Sequence, residues 1–540
     1  MPLWTLKNTK ILVVDDYAEM RSMLRGMLMA YGAEDIKQAA NGEDAIELMA
    51  NNTFDIILCD YNLGEGKDGQ QVLEEAKHRE ILPLSTTFIM VTAENTAIMV
   101  MGALDYQPDA YLSKPVTKIT LQTRLKKILD KKEFTKEIST AIDKKEFGQA
   151  SKLCDEAMTD HPALRLELQS LQYTLLTTIG DDDAAETLCK QVLQDRDVPW
   201  AQLGLAKVYF SQQKYSETKA LLEEIIVNNS DFVAAFDLLS KTQIKLGDSQ
   251  GAEETLAKAI KKSPKSLVRQ RELGELAVLN ENHIVAERAR RDAMLIGKYS
   301  VLRQPDDYVK YSQTLVKNNK GKEALKIADR IKTAFKGNHD ARLQAEICKS
   351  TVHQALGDET RAEAAVDAAL VLYQKYGPNF SSNAGIALAK NCLKYNKEEE
   401  ADTIIKDVAK NNHENKAVLE EINQTYEEAG FAGKADEAIA AAVSEIADIN
   451  NEGVRLINEG KISESIEVFK KAAKALPLNH TISLNTAQSY ILLMKKEGAS
   501  KQYINEAMFY LDAVKDVDSA KKKYDELMKS CREFALQTGL

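Results

Sequence analysis

The chain has 540 residues, too many for a single hydrophobic core, so it is expected to divide into two or more units. Its hydrophobic content of 44% and charged content of 28% are those of an ordinary globular chain, while 6% aromatic residues and only 10 prolines suit a mostly helical one. The formal net charge of −11 argues against nucleic acid as a partner, because a phosphate backbone needs a basic surface. No run approaches the ~18 apolar residues that would insert into a membrane.

The opening Met-Pro-Leu-Trp-Thr-Leu-Lys-Asn lacks the basic stretch followed by an apolar one that marks a secretory signal. Cys59, Cys154, Cys189, Cys348, Cys392 and Cys531 include no Cys-x-x-Cys pair, which predicts reduced, buried thiols and a cytoplasmic location. Strand and helix patterns then alternate. Strands are expected at 10–14, 35–39, 55–59, 88–91 and 110–113, and helices at 18–31, 43–50, 69–78, 95–105 and from about 117. Short apolar runs between helices imply a buried parallel sheet.

Polar residues close these strands. Asp15 and Asp16 follow Ile11-Leu12-Val13-Val14, Asp60 follows Ile56-Ile57-Leu58-Cys59, Thr92 follows Phe88-Ile89-Met90-Val91, and Lys114 follows Ala110-Tyr111-Leu112-Ser113. In an open parallel sheet the strand C-termini share one edge, where ligands bind. Three carboxylates, a hydroxyl and an ammonium on one rim suit Mg²⁺ binding and acceptance of a phosphoryl group.

In order and spacing these residues resemble the receiver domain of two-component response regulators, over roughly residues 8–129. The resemblance implies a flavodoxin-like α/β fold with a five-stranded parallel sheet. It also implies that Asp60 is the phosphoacceptor, forming an acyl phosphate, and that Asp15, Asp16, Asp60 and the Asn62 carbonyl hold Mg²⁺. Thr92, Ala93 and Lys114 would bind the phosphate, with Thr92 and Lys114 acting beside Asp60 in the transfer, and Thr92 and Tyr111 would form the switch. A short-lived acyl phosphate is expected from Asn62 and Glu94, which flank the route of the hydrolytic water in this family. The sequence departs from the family twice. The Asp68-Gly69 pair comes one residue later than usual, with Gly64 in place of proline, and Tyr106-Gln107-Pro108-Asp109 lengthens the approach to the last strand. The second change alters the face on which many receivers dimerise; a homodimer stays open.

From about 131 onward only helical patterns follow. Frames of 34 residues starting at 131, 165, 199, 233 and 267 place Ala150, Ala184, Thr218, Ala252 and Ala286 at position 20, Ala157, Ala259 and Ala293 at position 27, and Pro162 and Pro264 at position 32. This resembles the tetratricopeptide repeat, in which small residues let paired helices approach and large ones fill between them. The register loosens after about 300 and returns with Gly453, Gly460, Ile462, Phe469, Ala472 and Pro477. The expected division is a receiver at 1–129 and an all-α superhelical repeat domain of about nine or ten helix pairs, with capping helices, at 130–540. Stacked helix pairs present a long groove suited to peptides and proteins.

The seven histidines show no metal-ligand spacing, and no P-loop, Gly-x-Ser-x-Gly or helix-turn-helix signal occurs in the tail. The leading reading is a phosphorelay response regulator, phosphorylated by a sensor histidine kinase and acting through an unidentified protein in the repeat groove. It is not an enzyme beyond its own phosphoryl transfer and dephosphorylation. The alternatives are a scaffold or inhibitor that docks on a sensor kinase, and a hydrolase hidden in the helical tail. A packed, stiff junction is expected near 130, because no Gly- or Ser-rich spacer separates Leu125 and Ile128 from the apolar stripe of Ile138, Ala141 and Ile142.

Overall fold

Five apolar runs form one parallel sheet: β1 (Lys10–Val14), β2 (Asp35–Ala39), β3 (Ile56–Asp60), β4 (Thr87–Thr92) and β5 (Ala110–Ser113), in the order β2-β1-β3-β4-β5. The computed structural model describes residues 5–93, 108–377, 379–515, 517 and 520–537. The helix expected at 95–105, Glu94 and the Tyr106-Gln107 part of the lengthened connection lie outside them.

The strands are apolar throughout because both sheet faces are covered. Leu12, Val14, Ile57, Cys59, Phe88 and Met90 point to the face packed with Ala45, Ile46 and Met49 of α2 (Gly42–Asn51) and Val72, Leu73 and Ala76 of α3 (Gly69–His78). The alternate residues Ile11, Val13, Ile56, Leu58, Ile89 and Val91 meet Leu24 and Leu28 of α1 (Ala18–Met29) and Leu121 and Leu125 of α4 (Lys118–Phe134). Register pairs Val14 with Cys59, Asp60 with Val91, and Thr92 with Ser113. The residues that close these strands are therefore neighbours before any side chain is considered.

By contact the chain divides into two compact units, Met1–Asp307 and Tyr308–Leu540. The first holds the sheet and the regular helices. After α4, a single residue, Thr135, precedes α5 (Lys136–Asp143), and the junction is held by the Lys132 ammonium on the carbonyls of Leu84, 2.9 Å away, and Thr86. Ile138 and Ala141 are buried against Ala150, Cys154, Leu168 and Leu175, so the predicted stripe has its partner. Then follow α6 (Phe147–Asp160), α7 (Arg165–Thr178), α8 (Asp182–Asp195), α9 (Pro199–Ser211), α10 (Tyr215–Asn228), α11 (Val233–Lys245), α12 (Ser249–Lys262), α13 (Leu267–Leu279) and α14 (His283–Ile296).

The helices α7, α9, α11 and α13 begin at 165, 199, 233 and 267, the expected frame starts. The turn inside each pair is left-handed at frame position 15, where Lys145, Gln213, Gly247 and Glu281 have φ of 61°, 61°, 81° and 58°. In the second frame that role falls one residue later, on Gly180 at 78°. This corrects one packing assignment: Ala185, fully buried, takes the interior place expected for Ala184, because the longer turn shifts the helix by one residue.

The second unit is helical among its described residues. Its helices are less uniform, with 17 residues in His339–Ala355, 18 in Glu359–Tyr376 and 25 in Lys434–Asn458, which is why a fixed period fails after 300. The returning repeat is tightly packed: a Cβ on Gly453 would lie 2.2 Å from the fully buried Phe469 ring. Twenty-two helices follow α4 among the described residues. All six cysteines are free and buried.

Candidate functional site

The rim of the sheet collects the predicted residues because β1 and β3 are adjacent while their connections leave in opposite directions, the point where α/β sheets open a crevice. Asp15 and Asp60 are 1% and 5% exposed. The Lys114 ammonium donates to Asp15 Oδ2 at 2.9 Å and to Asp60 Oδ2 at 2.8 Å. The remaining Asp15 oxygen accepts the Tyr17 backbone N–H at 2.9 Å. Arg21 adds a second cation, donating to the carbonyls of Asp15 and Asp16 at 2.6 and 3.1 Å. Sequence reasoning overlooked Arg21, whose one signal was its place one helical turn beyond the aspartates.

Burial pushes the Asp60 carboxyl up, against the opposing pull of Lys114 and a hydrogen bond from the Asn62 backbone. Burial alone would lower the Lys114 ammonium, but its bonds to Asp60 and Asp15 outweigh that and raise it. Such a lysine stays charged, and two carboxylates can share the pocket because it neutralises them.

Carboxylate oxygens of Asp15, Asp16 and Asp60 lie within 4.8 Å of one another. Asp16 Oδ1 is buried without a hydrogen-bond partner. A cluster of hard oxygens with one left unsatisfied is the donor set that a hard divalent cation takes, and it fits Mg²⁺.

The loop after Asp60 explains the shifted Asp-Gly pair. Asp68 caps α3, accepting from Gln71 N–H at 2.9 Å, while Gln71 returns a side-chain acceptor to the Asp68 N–H at 3.1 Å. Gly69 must be glycine, since a Cβ there would stand 2.2 Å from the Asp60 carbonyl oxygen. Gly64, at φ +74°, would bring a Cβ to 3.3 Å from Asp16 Oδ2, so the backbone runs close beside the acidic cluster.

Asp60, Asn62, Thr92, Ala93 and Lys114 line one cavity of about 920 Å³. Thr92 is buried, Ala93 is exposed, and Lys114 N–H donates to the Thr92 carbonyl at 2.7 Å. Tyr111 is not among the lining residues. It is half-buried, its hydroxyl is buried without a hydrogen-bond partner, and burial, with Tyr61 adding, pushes its phenol up to about 12. The cavity's far wall includes Asp237, Lys241, Lys265 and Arg269, which no strand-end pattern could have announced.

Residues 11–126 match the response regulator receiver domain family. Chemotaxis protein CheY-3 of Vibrio cholerae serotype O1 is 31% identical over 131 residues, covering 23% of this chain and 95% of that protein. Chemotaxis protein CheY of Pseudomonas aeruginosa is 29% identical over 122 residues, covering 23% of this chain and 97% of its own length. Among solved structures, a CheY-like receiver domain protein from Methanospirillum hungatei JF-1 is 28% identical over 23% of this chain and 96% of that one, with a TM-score of 0.21. A tetratricopeptide repeat protein from Parabacteroides merdae is 16% identical over 47% of this chain and 96% of that one, with a TM-score of 0.29. With an acidic cluster and its lysine at the crevice of a 2-1-3-4-5 sheet, and a CheY relative covered almost end to end, the chain belongs to the response regulator receiver family through its first quarter.

Proposed function

We propose that this protein is a cytoplasmic phosphorelay response regulator, phosphorylated on Asp60 by a sensor histidine kinase and acting by protein binding through its helical repeats. The division into a receiver at 1–129 and a repeat domain at 130–540 belongs to this reading. The observation that carries it is the buried Asp60 carboxylate, 2.8 Å from Lys114 and clustered with Asp15 and Asp16.

Asp15, Asp16, Asp60 and the Asn62 carbonyl would hold Mg²⁺, which supplies charge neutralisation for phosphoryl transfer. Asp60 attacks the phosphorus of the donor phosphohistidine; a P–O bond forms, the P–N bond breaks, and the imidazole leaves with a proton. Lys114, already aimed at Asp60, faces the charge that builds on the transferring group. Thr92 and the Ala93 N–H receive the new phosphate oxygens, and Thr92 with Tyr111 carries the change inward. Water admitted past Asn62 ends the signal.

The experiment is labelling of the full chain by acetyl phosphate. We expect one hydroxylamine-sensitive phosphate that requires Mg²⁺ and is absent in Asp60→Asn. Labelling of Asp60→Asn at the wild-type level overturns the reading.

A further inference from the structure

The cavity beside Asp60 is shared by two parts of the chain whose bonded pairs across it lie 197 to 226 residues apart in sequence. One wall is the phosphoacceptor rim; the other is built by α11, the loop before α13 with that helix's first turns, and the end of α14. Direct bonds close the wall. Lys265 Nζ lies 3.2 Å from Asp68 Oδ2 and 4.9 Å over the Tyr61 ring. Gln71 Nε2 donates to the Ile296 carbonyl at 3.2 Å, and Ser300 Oγ donates to Glu74 Oε2 at 2.7 Å. Ser300 and Glu74 are each 7% exposed.

All four receiver partners, Tyr61, Asp68, Gln71 and Glu74, belong to one stretch that begins at the residue after Asp60. The array side is equally well braced. Ser300 Oγ also accepts the Leu302 N–H at 3.0 Å, and Arg271 holds both Asp307 oxygens and the Leu302 carbonyl at 2.7 Å. Two structured surfaces therefore meet on the loop and helix that follow Asp60.

We propose that the segment Lys265–Ser300 docks in cis on the loop and helix after Asp60, and that phosphorylation of Asp60 releases it. The inference rests on Asp60 being the acceptor. A phosphoryl group and a hydrated cation must enter the cavity that this segment walls. The new phosphate competes with Asp68 for the Lys265 ammonium. The loop between Asp60 and Asp68 holds Gly64 and Gly66 at φ of +74° and +107°. Phosphate acts on the array only by favouring one of these two states over the other. The route is distinct from the α4–α5 junction, which lies on a different part of the chain.

Hydrogen exchange of the full chain in Mg²⁺, with and without beryllofluoride, tests the proposal. In the wild type the mimic should lower protection of both 69–78 and 283–300 by about fivefold or more. Lys265→Glu and the milder Ser300→Ala should start with low protection in 283–300 and change little there, yet still respond at 58–62. If the wild type responds at 58–62 while 283–300 stays the same or gains protection, release is overturned and the acceptor reading stands. If nothing responds, the acceptor reading fails and takes this one with it.

Discussion

The acidic rim of the sheet and the repeat helices solve different problems. At the rim, Asp15, Asp60, Thr92 and Lys114 come from four separate strand ends, and no two adjacent elements alone would assemble them. In the repeats, contacts run mainly between helices next in sequence, as in the packing of Val233, Phe236, Ala252, Leu256 and Leu273. A change at the rim should therefore act on the whole site at once. A change in the repeats should stay within a helix pair and its neighbours.

The strongest contrast is expected at Asp60. Asp60→Asn removes labelling entirely, whereas Leu256→Ala, which empties a fully buried site, leaves labelling near the wild-type level while lowering local stability by about 3 kcal/mol. Labelling by acetyl phosphate and exchange of residues 249–279 measure the two sides. Loss of labelling in Leu256→Ala would break the distinction.

Next is Lys114, whose side chain is 16% exposed beside carboxylates that are 1% and 7% exposed. Lys114→Ala leaves both acids buried without their cation and should destabilise the metal-free first unit by about 3 kcal/mol. Mg²⁺ should restore more stability to this variant than to wild type, because it replaces the lost charge. Calorimetry with and without Mg²⁺ decides; an equal Mg²⁺ response in both proteins would contradict it.

A smaller effect sharpens the repeat side. Gly247 has a left-handed backbone, so Gly247→Ala should cost the pair α11–α12 about 1 kcal/mol. Gln213 occupies the same turn position at φ 61°, and Gln213→Gly should stabilise its own pair by about 0.5 kcal/mol. Local exchange free energies should move in opposite directions for the two variants.

The smallest effect belongs to His480 in the second unit, whose imidazole is pushed below its ordinary value by burial. The unfolded chain then binds the proton more readily, so stability is full above about pH 6.5 and falls as pH drops through that value toward the folded one. His480→Asn should flatten this dependence by on the order of a degree in Tm between pH 7.5 and 5. An unchanged slope would mean that the histidine is not linked to folding.

Much of this was legible beforehand. The strand runs, the acidic and basic residues that end them, and the 34-residue period are local patterns, set by burial on both sheet faces and by the repeat of small side chains. The frame starts at 165, 199, 233 and 267 fall on the first residues of α7, α9, α11 and α13, whereas the frame start at 131 falls inside α4. The Ala184 assignment failed because a one-residue difference in turn length is invisible to a fixed frame. The second unit lost its period because helix length there varies.

The sequence by itself determined that Asp15, Asp16, Asp60, Thr92 and Lys114 share an edge, since strand direction and sheet order leave them no other place. Only the tertiary structure decided which oxygens Lys114 holds, that Asp16 keeps a buried oxygen unsatisfied, and that Arg21 braces the loop. It alone brought Lys265 and Ser300 onto the loop and helix that follow Asp60. The reason is physical: period and polarity report which face of an element is buried, but the meeting of two surfaces 197 to 226 residues apart depends on the summed rotations of every helix pair between them, and no local pattern encodes that sum.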